Sequence, residues 1–389
     1  MTIKLVENAN DINEMVELAN WLYSSPRFTM GPVTEEFEKK FADYIGTKYC
    51  VMVNSGSSAN LLAVASLKHY LPNHYHFVVV PALSWATTIS PYMQLGEFTT
   101  ILCDCNMENL GLDINHLKQL IDQYHPTIIQ TVNVLGFPND YDEIKQLCNE
   151  NQITLIEDSC ETLGSTYNKI KCGNFGLMST FSFFYGHIIS TIEGGMICTN
   201  DNDLNILLRM LRAHGWTRNI DEITQRNYRE KYDVSKFQEF YTFYYPSFNV
   251  RPTEIQAFLG LKQLEKLDSI IEKRTRTYEL YDSNLTNVKW KPKFDKNCVN
   301  FAYPILVENR DRVVESLTKN DIECRPIICG SINKQPFYQT WKYKKSTDTP
   351  NADMIHEHGV YIPNHPLLKE VDILRICDII NDVNIEGEK

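Results

Sequence analysis

The chain has 389 residues, 43% of them hydrophobic and 22% charged, with a formal net charge of −11 and a pI near 5.4. That length holds a large core and suggests two domains, while the acidic balance speaks against a nucleic-acid or anionic-membrane partner, which usually leaves a basic footprint. The N-terminal MTIKLVENANDINEMVELANW has no basic segment followed by an apolar core and cleavage site, and no later run approaches a membrane span, so the expectation is a globular cytoplasmic protein.

In chain order, YCVMVNSG (49–56), HFVVVPALS (76–84), TTILCDC (99–105), TIIQTVNVLG (127–136) and ITLIEDS (153–159) read as buried strands that end in polar or turn residues. Between them, SANLLAVASLKHYL (58–71) and YDEIKQLCNENQ (141–152) carry apolar residues at helical spacing. The alternation predicts an α/β fold, a mostly parallel sheet wound by helices, and ligands on such sheets collect at the carboxyl ends of the strands.

The composition changes after about Asn219: residues 220–247 are charged and then aromatic-rich, and a long helical stretch follows over 254–285. The expected division is a large domain over 1–250, with an N-terminal helix, and a connecting helix leading into a smaller α+β domain over 251–389. There FAYPILV (301–307), ECRPII (323–328) and GVYIPN (359–364) are candidate strands, and RVVESLTKN (312–320) a helix. The eleven cysteines are scattered through apolar runs, which points to reduced, buried thiols. Cys103 and Cys105, the one close pair, lack the spacer and the second pair that a zinc or cluster site needs, so no metal is expected.

Three stretches carry residues suited to chemistry. In NSGSSANLL (54–62) a strand ends in a small-residue turn and a helix begins, so the N–H groups of Gly56 and Ser57 could face an anion, and the Ser57 hydroxyl could join them; an ordinary N-cap is the alternative. In LIEDSCE (155–161), Asp158 follows an apolar strand, where a half-buried carboxylate could bond a protonated pyridine nitrogen, or cap the next helix. In FSFFYGHIISTIEGGM (181–196), Ser182 precedes His187 and two glycines turn the chain into the strand MICTND. A lone histidine among aromatics is more often structural than catalytic. Three such sites in this order, two of them ending strands of one sheet, shift that balance.

With these blocks in view the chain resembles the DegT/DnrJ/EryC1/StrS sugar aminotransferase family, which uses pyridoxal phosphate on the aspartate-aminotransferase (type I) fold. It is most similar to the branch with histidine in place of the cofactor-binding lysine, the GDP-4-keto-6-deoxymannose 3-dehydratases of colitose biosynthesis. The similarity runs through FTMGPVTEEFE (28–38), VMVNSGSSANLL (51–62), VPALSWATT (80–88), IEDSCETLGS (156–165), SFFYGHIISTIEGGM (182–196), LRAHGWTRN (211–219), FNVRPTEIQAFLG (248–260) and IECRPI (322–327). The resemblance implies that Gly56, Ser57 and Ser182 hold the cofactor phosphate, Trp85 stacks on the pyridine ring and Asp158 pairs with its nitrogen. It implies that Asn249 reaches the phosphate of the neighbouring subunit, making the active unit a homodimer. Arg218 and Arg251 become candidates for anions of the amino donor or the sugar nucleotide, Arg251 for a glutamate carboxylate. Ile188 departs from the branch, whose members often carry a second histidine there.

Imidazole cannot form the covalent tether a lysine forms with pyridoxal phosphate, so the cofactor would be held by non-covalent contacts and His187 would act as the base. The implied reaction uses L-glutamate to convert pyridoxal phosphate to pyridoxamine phosphate. It then removes the C3 hydroxyl of a GDP-4-keto-6-deoxy sugar, mannose or a related heptose, releasing 2-oxoglutarate, ammonia and a 4-keto-3,6-dideoxy sugar of the kind built into surface polysaccharides. Other readings are a nucleotide-sugar aminotransferase using a different residue, although Lys169 and Lys171 lie outside the motif; a CDP-4-keto-6-deoxyglucose 3-dehydrase, whose iron–sulfur cluster needs about four cysteine thiolates; and an inactive sugar-nucleotide-binding homologue.

Overall fold

In a computed structural model of the chain, residues 2–7, 11–24, 27–71 and 76–385 are described. Strands β1 (Tyr49–Val53), β2 (His76–Pro81), β3 (Phe98–Cys103), β4 (Ile128–Val132) and β5 (Thr154–Asp158) form at the predicted runs, and helices Gly56–Tyr70, Ala86–Gln94, Ile114–Tyr124 and Tyr141–Asn151 connect them. A short hairpin of β6 (Thr166–Tyr167) and β7 (Ile170–Lys171) precedes β8 (Met178–Ser182) and β9 (Gly195–Thr199). The main sheet has the order β1-β9-β8-β5-β4-β2-β3 and is parallel except for β9, which runs antiparallel to β1 on one side and β8 on the other. Because β1, β2, β5 and β8 all point the same way, the turns after Val53, Pro81, Asp158 and Ser182 meet along one edge.

Helices cover both faces of this sheet, and its strands are accordingly apolar almost throughout. Val78 and Val80 pack into one buried cluster while Val79 packs into another, the two-residue alternation of a strand with a core on each side.

The predicted long helix is two helices. Thr253 caps the first, Glu254–Glu265, in a reciprocal pair with Gln256; the chain leaves helical geometry at Lys266 (φ −103°, ψ −2°) and resumes as Leu267–Asn284. Beyond it, β10 (Tyr303–Leu306) pairs antiparallel with a strand at Gly359–Ile362. Between these, residues Lys344–Lys345 form β11, which adds to the edge of the main sheet beside β3, so Gly359–Ile362 is β12. The run ECRPII is not a strand: only Arg325 bridges, to Tyr361 of β12, and Pro326 has no N–H with which to extend a ladder. No helix among the described residues is long and apolar enough to cross a membrane.

Candidate active site

The turns along that edge open into a cavity of about 330 Å³. Gly56, Ser57, Trp85, Asp158, Ser182 and His187 line it from the main-sheet side, together with Phe301, Arg325 and Tyr361 of the C-terminal part of the chain.

Ser55 takes extended geometry after β1 and caps the helix Gly56–Tyr70, its hydroxyl accepting the Ser58 N–H at 3.0 Å. The first-turn N–H groups of Gly56 and Ser57 have no acceptor within the helix and stand at its positive end. Gly56 is required by contact: a Cβ there would lie 2.5 Å from the Ser182 Cβ. The Ser57 hydroxyl lies 3.1 Å from that of Thr87. Two hydroxyls and a helix N-terminus that a Cβ would obstruct make a cradle suited to a phosphate.

Asp158, the last residue of β5, is 3% exposed. One carboxylate oxygen accepts the side-chain N–H of Asn60 and the hydroxyl of Thr88, each at 2.8 Å, and the other accepts the Cys160 N–H at 3.1 Å. Asn60 is itself fixed by the Thr180 hydroxyl, which donates to its Oδ1 at 2.6 Å. A buried carboxylate held by three donors and facing a cavity is the partner that a protonated pyridine nitrogen needs. Trp85 sits beside it, 53% exposed at the helix start. This donor set, with the phosphate cradle on one side and the carboxylate on the floor, fits pyridoxal phosphate.

His187 lies in the loop between β8 and β9. Its Nδ1 is 2.6 Å from the Cys160 carbonyl, which only accepts, so Nδ1 carries the proton and Nε2 keeps a lone pair. Edge-to-face contacts with Phe301 at 5.1 Å and Phe184 at 6.0 Å fix the ring plane. Burial pushes the imidazole down to about 4, against the Cys160 carbonyl and the Asp158 charge, which pull it up, while Arg274 adds to the depression. The ring is therefore neutral near pH 7.

Arg274 is buried behind the loop, and burial pushes its guanidinium down to about 9. It donates to the carbonyls of Phe301 (2.9 Å), Asn300 (3.3 Å), His187 (3.4 Å) and Asn364, tying the His187 loop to two segments of the C-terminal half.

Among the residues singled out in the sequence, Gly56, Ser57, Trp85, Asp158, Ser182 and His187 converge on this cavity. Asn249, Arg218 and Arg251 do not line it. The Arg251 Nε donates to Asn249 at 2.9 Å, and the Arg218 guanidinium lies 3.9 Å from the Trp216 ring centroid and donates to the Phe240 carbonyl at 2.7 Å. Ile188 is buried among apolar residues of the core rather than in the cavity.

Four residues of the site went unremarked in the sequence. Asn60 and Thr88 have a local signal, polar side chains on the inward faces of helices among alanines and leucines. Glu161 stands three residues past Asp158, in the turn that follows β5; burial lifts its carboxyl to about 7, partly offset by the Leu135 N–H at 2.7 Å. Arg325 is the one basic residue of the run ECRPII.

A model of the DegT/DnrJ/EryC1/StrS aminotransferase family matches residues 9–381. The GDP-4-keto-6-deoxy-D-mannose 3-dehydratase of Escherichia coli O55:H7 is 37% identical over 367 residues, which cover 90% of this chain and 93% of that one. Among solved structures, a variant GDP-4-keto-6-deoxymannose-3-dehydratase with bound GDP-perosamine superposes with a TM-score of 0.90 at 32% identity, covering 97% of this chain and 100% of that one. A GDP-4-keto-6-deoxymannose-3-dehydratase with a trapped PLP-glutamate geminal diamine superposes with a TM-score of 0.88, again at 32% identity and with coverage of 97% and 100%.

Proposed function

The chain belongs to the DegT/DnrJ/EryC1/StrS aminotransferase family, and from that premise we propose that it is a pyridoxal phosphate-dependent dehydratase that removes the C3 hydroxyl of a GDP-4-keto-6-deoxy sugar. L-glutamate is the amino donor, and 2-oxoglutarate, ammonia and a GDP-4-keto-3,6-dideoxy sugar are the products. The observation that carries this reading is a neutral, oriented imidazole at the position of the tethering lysine, in a cavity that no lysine lines among the described residues.

When bound, the cofactor in its amine form supplies the nitrogen that condenses with the sugar ketone and an electron-poor ring that accepts the electron pair released at its C4′ carbon. Asp158 holds the ring nitrogen protonated, and Asn60, Thr88 and the Cys160 N–H hold Asp158. With Nδ1 held on the Cys160 carbonyl, the Nε2 of His187 is the atom that would take a proton from the bound cofactor and could pass it to the departing C3 hydroxyl, which would leave as water, with no turn of the ring. Gly56, Ser57 and Ser182 hold the phosphate, which without a tether carries the retention of the cofactor. Trp85, on the cavity wall, would cover one face of the bound ring.

Asn249 completes the phosphate site of a second copy of this chain, making the active form a homodimer. Arg251, bonded to Asn249, and Arg218 both lie beside the Trp216 ring, 5.7 and 3.9 Å from its centroid, and serve anions of the substrates at that shared site. A cytoplasmic location goes with nucleotide-linked substrates.

Incubation with pyridoxal phosphate, L-glutamate and GDP-4-keto-6-deoxymannose, with product mass and ammonia recorded together, tests the reading. A sugar product lighter by one oxygen, with ammonia matching 2-oxoglutarate, is expected. An amino sugar without free ammonia overturns it in favour of transamination.

A further inference from the structure

Arg274 lies in the helix Leu267–Asn284, 2% exposed, and pairs with no carboxylate among the described residues. A buried guanidinium is costly unless its N–H groups find acceptors, and those of Arg274 find backbone carbonyls. Nη1 faces the carbonyls of Asn300, Phe301 and Asn364, and Nη2 reaches that of His187 at 3.4 Å. The segment carrying Phe301 is in turn fastened to Leu135, a buried residue held at φ +51°, where a leucine is uncommon. The Leu135 carbonyl accepts the Phe301 N–H at 3.1 Å and the Asn300 side-chain N–H at 3.2 Å, while its own N–H donates to Glu161 at 2.7 Å. From Glu161 through Leu135, Phe301 and Arg274 to His187, and back through the Cys160 carbonyl, these bonds close a ring whose members Glu161, Phe301, His187 and Cys160 line the cavity.

A buried arginine that gathers loop carbonyls is ordinarily scaffolding. Here one of the carbonyls belongs to residue 187 itself, and the Phe301 ring, whose backbone the same guanidinium holds, lies 5.1 Å from the imidazole, edge to face. A lysine bonded to the cofactor would set the distance between the two by a covalent bond. An imidazole reaches its target only as well as its loop is placed, and an error of about 1 Å costs on the order of 10²-fold in rate. We propose that Arg274 is a positioning residue for His187, acting through the loop backbone and the Phe301 ring to hold the imidazole where it can exchange a proton with the bound cofactor. The inference rests on the reading above, in which His187 carries the proton.

The test uses Arg274→Lys, which keeps the charge and a donor, and Arg274→Met, which keeps neither. In cofactor-free protein the Nδ1–H proton, shared with the Cys160 carbonyl over 2.6 Å, should give a low-field proton NMR signal, assigned by its absence in His187→Asn. It should broaden or vanish in Arg274→Met and persist in Arg274→Lys. In the holoenzyme, amine loading by L-glutamate, followed by cofactor absorbance in a single turnover, and deoxygenation of the keto-sugar should both slow about 100-fold in Arg274→Met. Half-saturating substrate should stay within about threefold of wild type, and Arg274→Lys should recover part of the rate. Adding Arg274→Met to His187→Asn should cost little more, because residues that act as a unit are not additive. Three results overturn the proposal: wild-type rates in a folded Arg274→Met variant, a rise in half-saturation with the rate constant kept, and full additivity in the double variant, which assigns Arg274 to architecture. If Arg274→Met does not fold, Arg274→Lys decides on the same measurements: a partial loss of rate at unchanged half-saturation is expected, and no loss overturns the proposal. A wild-type enzyme that loads amine but deoxygenates no keto-sugar would sink the sugar assignment while leaving the amine-loading comparison intact.

Discussion

The Nδ1 atom of His187 lies 2.6 Å from the carbonyl oxygen of Cys160, two residues beyond the carboxylate that faces the same cavity. One backbone turn therefore sets both the tautomer of His187 and the position of Asp158. His187→Asn keeps a side-chain N–H able to reach that carbonyl and removes the base. Ammonia release should fall about 10²- to 10⁴-fold, while cofactor absorbance on titration with pyridoxal phosphate changes little. Retained turnover would place the base elsewhere.

Burial pushes His187 down to about 4 and lifts Glu161 to about 7. The acid limb of kcat/KM should fall well below the ordinary imidazole value, and a second inflection near neutrality should vanish in Glu161→Gln. The stability effects have opposite signs. The depressed His187 contributes stability that is lost as pH falls through its folded value of about 4. The raised Glu161 contributes stability that is present in acid and lost as pH rises through about 7. Thermal melts of wild type and Glu161→Gln should therefore diverge between about pH 5 and about pH 8, the variant gaining at the higher pH.

Asn60 donates to Asp158 and accepts from Thr180 inside the protein. Asn60→Ala leaves both partners short, at a cost of about 1–3 kcal/mol in denaturant unfolding, and should weaken retention of the untethered cofactor in dialysis. If cofactor affinity holds while stability falls, the Asp158 network is structural only.

How much of the fold the sequence shows follows from what a side-chain pattern encodes. The strand ends carrying Gly56, Asp158 and Ser182 were legible because an apolar run and its polar stop are local signals. The direction of β9 was not, since strands buried on both faces look alike whether they run parallel or antiparallel. Neither was the break at Lys266, which falls between two helical patterns with no glycine or proline to mark it. β11 escaped because two lysines at a sheet edge resemble a surface loop. Arg325 and Glu161 belong to local sequence patterns, but their meeting across one cavity joins residues far apart in the chain.

A methyl group at position 56 would meet Ser182 at 2.5 Å. Gly56→Ala should cost about 1–3 kcal/mol through overpacking and displace Ser182 from the phosphate cradle, seen as faster cofactor loss on gel filtration. Unaltered cofactor retention would argue against a phosphate at this turn.

The shared-site assignment of Asn249 has its own test. Asn249→Ala and His187→Asn homodimers should each be weak, and refolding the two together should restore activity, because one mixed site receives both native residues. Absence of complementation in verified mixed dimers would confine the site to a single chain.

Ser182 and Gly195 are register partners in adjacent strands, and the loop carrying His187 runs between them. Its two ends are thus sutured together by the sheet, so its length and take-off angles belong to the scaffold and not to whichever residue stands at position 187. The loop works as a socket. A change of residue there leaves both ends of the loop where the sheet pins them.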